Sequence, residues 1–255
     1  MNSDYLGNLR NYEKRQEERK WSKKNIVGSI LILLFLFSLL IFTTCPSNMP
    51  KIKSDYMAIS TYIGSSNCYF VTNKQTRETI IIDPGSHAEY LIRMLEENEL
   101  EAVAILLTHA HFDHIGAAEQ LRVDLDIPIY AHIDEKVNFG DNIVANNMTW
   151  LDDEDALLEI AEFSIRVMYT PGHTVGSVCY YIESENVLFS GDTMFWRTYG
   201  RTDFPTGNLN AMIDSFVNIL YTLPNETIVY PGHERTTTIG YEKKSNPLNN
   251  IITNP

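Results

Sequence analysis

Residues 109–114 read His-Ala-His-Phe-Asp-His and follow closely on an apolar run at 102–107. Four side chains able to bind a metal therefore fall within six positions. Three imidazoles and a carboxylate crowded together are costly unless positive charge sits among them, and a divalent cation supplies it. The feature constrains the fold strongly. The apolar run must be a buried strand, the motif must occupy the loop at its end, and other loops must bring further ligands to it. Three later strings can do so: Pro171-Gly172-His173-Thr174, Ser190-Gly191-Asp192 and Pro231-Gly232-His233-Glu234. Five of the seven histidines lie in these motifs, a distribution that points to a two-metal hydrolytic site.

The surrounding pattern places every one of these ligands just after a strand. Residues 56–63, 68–72 and 79–82 read as strands, with a turn at 64–67 and a stop at Asp83-Pro84-Gly85. Residues 88–97 read as an amphipathic helix with Leu91, Ile92 and Leu95 on one face. Strand 102–107, helix 116–125 and strand 127–131 follow. Strands at 163–169, 178–182 and 187–189, a helix at 209–220 and a last strand at 227–230 complete the reading. Strands in runs with interposed helices predict a layered α/β domain, sheets inside and helices outside. Loops at the ends of rigid strands are where ligands can be held accurately.

The His-x-His-x-Asp-His string, the later Pro-Gly-His, Gly-Asp and final Pro-Gly-His resemble the metallo-β-lactamase superfamily over nearly all of residues 56–250. Gly200-Arg201-Thr202-Asp203-Phe204-Pro205, Pro231-Gly232-His233-Glu234, Thr238-Ile239-Gly240 and Asn246-Pro247 make the chain most similar to its glyoxalase II-like group of thioester hydrolases. The resemblance implies an αββα sandwich. It also implies one metal on His109, His111 and His173, a second on Asp113, His114 and His233, and Asp192 bridging the two. Asp113 and Asp192 are then the carboxylates that serve catalysis. The implied reaction is attack of a metal-bridging hydroxide on an acyl carbonyl, with a thiolate leaving. Zinc is the first expectation for the two divalent ions, and iron or manganese also suits a nitrogen and oxygen donor set.

Other branches of the superfamily set the alternatives. Some β-lactam hydrolases use a cysteine in the second site and others lack the bridging aspartate; neither pattern is present here. A persulfide dioxygenase-like reading shares the Gly-Arg-Thr-Asp-Phe string but implies a single iron on two histidines and an aspartate. A non-enzymatic, membrane-anchored metal-binding domain is the remaining alternative. The larger glyoxalase II enzymes carry a C-terminal helical domain that contacts glutathione. Only 22 residues follow His233, so glutathione dependence is not carried over.

Residues 26–42 hold no charge and are almost wholly apolar. As a helix they rise roughly 25 Å, enough for a short membrane span. About 25 polar residues precede them, so an uncleaved anchor is expected rather than a signal peptide. The domain organisation expected is a basic cytoplasmic tail at 1–25, a transmembrane helix at 26–42, a linker at 43–55 and the hydrolase domain at 56–255. Seven basic residues precede the span and only Lys51 and Lys53 follow closely, which predicts a cytoplasmic N-terminus and an extracytoplasmic catalytic domain. Residues 1–55 carry a net +4, so the remainder of a chain with net −13 carries −17. An acidic domain repels polyphosphate, so no nucleic-acid partner is expected; the partners are the membrane and a small acyl thioester.

The three cysteines, Cys45, Cys68 and Cys179, show no zinc-ligand spacing, and the last two read as buried thiols. Arg197, Tyr199, Arg201 and Arg235 are candidates for binding a substrate carboxylate. Asp203 is a candidate partner behind a ligand histidine, or a loop ion pair with Arg201. Trp196 and Phe204 either wall the pocket or pack in the core. His87 and His132 are read as non-ligands, and the acidic stretch 152–155 as a solvated turn. Residues 138–150 are expected to form a lid over the metals.

Overall fold

The computed structural model describes residues 52–140, 147–153 and 155–253. The expected tail, the transmembrane helix at 26–42 and residues 43–51 of the linker lie outside the described residues. No helix among the described residues is long and apolar enough to cross a membrane.

Two six-stranded sheets face each other. The first has the order β1 (Met57–Ile63), β2 (Asn67–Asn73), β3 (Glu78–Ile82), β4 (Glu101–Leu106), β5 (Ile129–His132) and β6 (Met148–Leu151). Its first three strands form antiparallel hairpins and the rest run parallel. The parallel crossovers are made by α1 (Ala88–Glu97) and by the pair α2 (Phe112–Ile115) and α3 (Ala118–Leu125). A turn of 3-10 helix (Ile133–Glu135) leads into α4 (Lys136–Phe139).

The second sheet contains β7 (Leu157–Ile160), β8 (Phe163–Tyr169), β9 (Val178–Ile182), β10 (Val187–Gly191), β13 (Ile228–Pro231) and β14 (Thr237–Thr238), with β13 between β10 and β14. A short hairpin, β11 (Met194–Phe195) and β12 (Thr198–Tyr199), leaves the end of β10. Helix α5 (Leu209–Asp214) continues as a π-helical turn (Ser215–Ile219). Helices α6 (Ile239–Ser245) and α7 (Leu248–Thr253) close the described chain.

Strand periodicity builds three apolar layers. Side chains alternate across a strand, so Phe70, Ile81, Ile105 and Leu107 turn outward to Leu91 and Leu95 of α1 and Leu121 of α3. Their neighbours Tyr69, Val71, Ile80, Ile82 and Leu106 turn inward to Ile165, Val167, Tyr180, Phe189 and Tyr230 of the opposite sheet. On the far side Cys179, Tyr181, Leu188 and Val229 meet Met212 and Phe216 of the α5 segment and Ile239 and Leu248 of α6 and α7. The αββα sandwich expected of the sequence is therefore present. Cys68 and Cys179 are buried free thiols.

Several details depart from the sequence reading. The helix expected at 116–125 is α3, which begins two residues later; the short α2 before it, set off by Gly116 and Ala117, was not expected. Within the expected lid, 141–146 lie outside the described residues. Of the flanks, Met148–Leu151 is not loop but β6, paired in parallel with β5. Strand β7 was unforeseen because it alternates weakly at the sheet edge, with no residue of Leu157–Ile160 fully buried.

Candidate metal centre

The loops that leave one end of both sheets carry the motif residues. His109, His111, Asp113 and His114 follow β4 or begin α2, on the first sheet. On the second, His173 follows β8, Asp192 follows β10 and His233 follows β13. Hydrogen bonds to backbone carbonyls fasten these loops across the sandwich. Val178 N–H donates to the Thr108 carbonyl at 3.0 Å, and the Tyr180 hydroxyl to the Leu107 carbonyl at 2.8 Å. Asn67, at the start of β2, donates its backbone N–H to the Gly232 carbonyl (2.7 Å) and its side-chain amide to the carbonyls of Pro231 (3.0 Å) and Glu234 (2.9 Å). The His233 loop is thus positioned by the first sheet.

The seven candidate ligands come together. His111 Nδ1 lies 3.1 Å from His109 Nε2 and 2.9 Å from His173 Nε2. Imidazole nitrogens bound to one ion at about 2.0–2.1 Å stand a little over 3 Å apart, so this spacing suits a shared cation. A second group is formed by Asp113, His114 and His233, whose ligand atoms also lie within 4.8 Å of one another. His233 Nε2 is 3.2 Å from Asp113 Oδ2. Asp192 faces both groups: Oδ2 lies 3.5 Å from His173 Nε2 and 3.5 Å from His233 Nε2, and Oδ1 lies 3.3 Å from His114 Nε2.

Hydrogen bonds behind the rings decide which nitrogen faces the cleft. His173 Nδ1–H donates to the Arg201 carbonyl at 2.7 Å. His114 Nδ1–H donates to Asp83 Oδ2 at 2.9 Å. Asp83 also accepts from the backbone N–H and hydroxyl of Thr108, at 2.8 and 2.6 Å. A carboxylate behind a ligand histidine fixes its tautomer and raises its basicity. Asp83, His109 and His114 also cluster closely, but the Asp83 oxygens are taken up by these bonds, which makes the cluster a support for the centre.

The electrostatics fit bound cations. Burial holds His109 well below the ordinary imidazole value and lowers His111 and His173 too, so these rings stay neutral with lone pairs free. Burial also works against a charge on His114, yet the Asp192 and Asp83 carboxylates prevail and push it up to about 10. Hydrogen bonds to Asp113 and Asp192 raise His233 to about 9. Despite its burial, Asp192 is held well below the usual carboxylate range by His114 and His233. Without metal, protons supply the positive charge that this carboxylate pair demands. His114 Nε2 and Asp192 Oδ1 are buried, face each other and lack a hydrogen-bond partner. Buried orphan ligand atoms of this kind are what a cation satisfies.

A cleft of about 570 Å³ opens over the centre, lined by His111, Phe112, Asp113, His173, Asp192, Phe195, Thr198, Tyr199, Arg201, Phe204, His233 and Glu234. Of the candidates for binding substrate, Tyr199 and Arg201 line it. Arg197 and Arg235 do not; their guanidinium groups lie over Trp196, Arg235 at 3.4 Å from the ring centroid. Asp203 supports no ligand histidine. It takes two bonds from Arg201, at 2.9 and 2.8 Å, because the neighbouring guanidinium outcompetes a ring already satisfied by a carbonyl. Phe204 walls the cleft, its ring 5.2 Å from that of His111. The sequence reading passed over Asp83, treated only as a strand stop, and Glu135, a buried carboxyl behind β5. Asp83 has a positive φ of 50°, in the left-handed region that aspartate adopts more readily than most residues. His132 stacks on Tyr169 and lies outside the metal-capable groups among the described residues.

Comparison with known proteins places this geometry. The sequence pattern of the metallo-beta-lactamase superfamily matches residues 61–233. Hydroxyacylglutathione hydrolase GloC of Haemophilus influenzae is 35% identical over 72% of this chain and 92% of its own. Among solved structures, the BLEG-1 B3 metallo-beta-lactamase is 38% identical with a TM-score of 0.67, over 74% of this chain and 98% of that one. The protein TTHA1623, solved in a di-iron-bound form, is 33% identical with a TM-score of 0.65 over the same shares.

Proposed function

The chain belongs to the metallo-beta-lactamase superfamily, and from that premise we propose that it is a dinuclear metal-dependent hydrolase that cleaves an acyl thioester of the hydroxyacyl-thiol kind. The observation that carries the reading is Asp192, whose two oxygens face two separate groups of three metal-capable side chains. His109, His111 and His173 would hold one cation, Asp113, His114 and His233 the other, and Asp192 would touch both. Bound divalent cations supply Lewis acidity toward an acyl carbonyl and toward water. Zinc or iron suits the donor set, and the relative solved with two irons supports iron as an alternative to zinc.

The chain's own residues orient and enclose the substrate. Phe112, Phe195 and Phe204 present apolar walls that limit water in the cleft. Arg201, over the Phe204 ring and paired with Asp203, leaves its exposed guanidinium at the rim, where a carboxylate on the thiol portion can share it. A thiolate leaves without protonation, so no side chain need act as general acid. The name of the GloC relative supports a thioester. The BLEG-1 likeness supports a second reading, β-lactam hydrolysis in the same cleft. The intact group at Asp113, His114 and His233 weighs against a mononuclear centre.

Thiol release from a hydroxyacylglutathione and from simpler acyl thioesters, beside β-lactam ring opening, tests the proposal. Thioester cleavage is expected, at least about 10²-fold slower in Asp192→Ala with the fold retained. Lactam turnover without thioester turnover would replace the reading.

A further inference from the structure

Glu135 is a fully buried carboxyl to which the proposed reaction gives no task. It ends the 3-10 turn after β5, and its two oxygens face two different loops. Oε2 accepts the Ala110 backbone N–H at 2.9 Å, between His109 and His111, and an Asn138 amide hydrogen at 3.0 Å. Oε1 accepts the Gly176 backbone N–H at 2.9 Å and the Thr174 hydroxyl, both in the loop that follows His173. All four groups are donors. The side chain therefore joins at the backbone two loops that belong to different sheets and together supply the three-histidine group.

Packing supports the same assignment independently of the hydrogen bonds. A Cβ on Gly176 would lie 2.4 Å from the Glu135 backbone nitrogen and 2.8 Å from its Cγ. Only glycine lets the His173 loop come this close to the turn that carries Glu135. Burying a carboxyl is costly unless it is fully bonded. Two loops that needed only to adhere could do so with apolar side chains; a carboxyl with one oxygen assigned to each loop fixes their relative position.

We propose that Glu135 is a positioning residue that sets the spacing of His109 and His111 against His173, and with it the affinity of one of the two cation sites. The proposal rests on the two-cation centre argued above. Glutamine is the informative substitution. Its amide has one acceptor oxygen, so in either orientation it turns a donor toward the Ala110 or the Gly176 N–H.

The test titrates Co²⁺ alone into the metal-stripped full chain, against a competing chelator, and follows the cobalt absorption bands. Two Co²⁺ are expected to bind the unsubstituted chain. Glu135→Gln should weaken one of them about 10- to 100-fold and alter its bands, leaving the other unchanged. Glu242→Gln is the comparison. Glu242 is equally buried and holds the Arg197 N–H and the Asn246 amide, away from both ligand groups, so both affinities should persist. Thr174→Val removes one of the four donors to Glu135, along with that hydroxyl's contact to Ser177, and carries the test if Glu135→Gln does not fold; the same affinity must fall by a smaller factor. A lowered Tm with both Co²⁺ affinities intact, or equal losses in the Glu135 and Glu242 variants, makes Glu135 merely structural and overturns the proposal. Failure of the unsubstituted chain to bind Co²⁺ overturns both this and the metal centre.

Discussion

His114 is clamped between Asp83 behind its ring and Asp192 before it. In the metal-free chain its pKa rises from 6.5 to about 10, and that of His233 to about 9. A raised folded pKa contributes stability that is complete below the unfolded value and fades as pH climbs through the folded one. Asp192, with its lowered pKa, contributes above the ordinary carboxylate value of 3.8 and loses its contribution in acid. The chelator-treated chain should therefore melt highest near pH 6.5: above it the His114 and His233 contributions fade toward pH 10, and below it the unfolded chain protonates His109, His111 and His173, which the folded chain holds neutral. Thermal melts across that range check this, and a flat or rising profile above pH 6.5 would contradict it. The charges concerned were legible as a motif. Their shifts were not: that of His114 depends on Asp192 and on Asp83, which stands 31 residues from His114 and meets it only in the fold, and that of His233 on Asp113 and Asp192.

Among the elements, α2 is the one whose placement decides most, since its four residues include Asp113 and His114. It has too few turns to be stable alone. Contacts from the β1–β2 turn and the β3 end hold it: the Ser65 and Ser66 hydroxyls donate to the Asp113 carbonyl at 3.1 and 2.6 Å. Gly85 packs so closely that a Cβ there would stand 1.6 Å from that carbonyl oxygen. Neither backbone can yield without displacing a ligand. Gly85→Ala is expected to cost about 1–3 kcal/mol or more, lowering Tm by roughly 2–12 °C, and to release the cation of the Asp113, His114 and His233 group. Calorimetry with metal analysis decides it; two retained cations at an unchanged Tm would refute the argument. Strands β2, β3, β4 and β8 were readable from period-two alternation or continuous apolar runs. The edge strand β7 and the hairpin β11–β12 were not, because their residues are half-buried or their strands two residues long.

At the scale of the whole domain, the centre spans the sandwich. Four candidate ligands come from the first sheet and three from the second. Cations held there would tie the sheets together from their open end, and anything binding only the folded chain stabilises it by mass action. At free metal about 1,000-fold above Kd the gain is about 4 kcal/mol, or roughly 8–16 °C in Tm for a domain of this size. Chelation should lower Tm by that order, and re-addition of Zn²⁺ or Fe²⁺ should restore it. Identical melts with and without chelator would show that no cation bridges the sheets.

Strands β1–β5, β8–β10 and β13 and the residue types of the centre were determined by the sequence alone, because periodicity and motif spacing act over a few residues. The depth of burial, the pairing of Asp83 with His114 and the clamp at Glu135 were decided only by the tertiary structure. Each depends on groups far apart along the chain that compete for the same donors once the two sheets close.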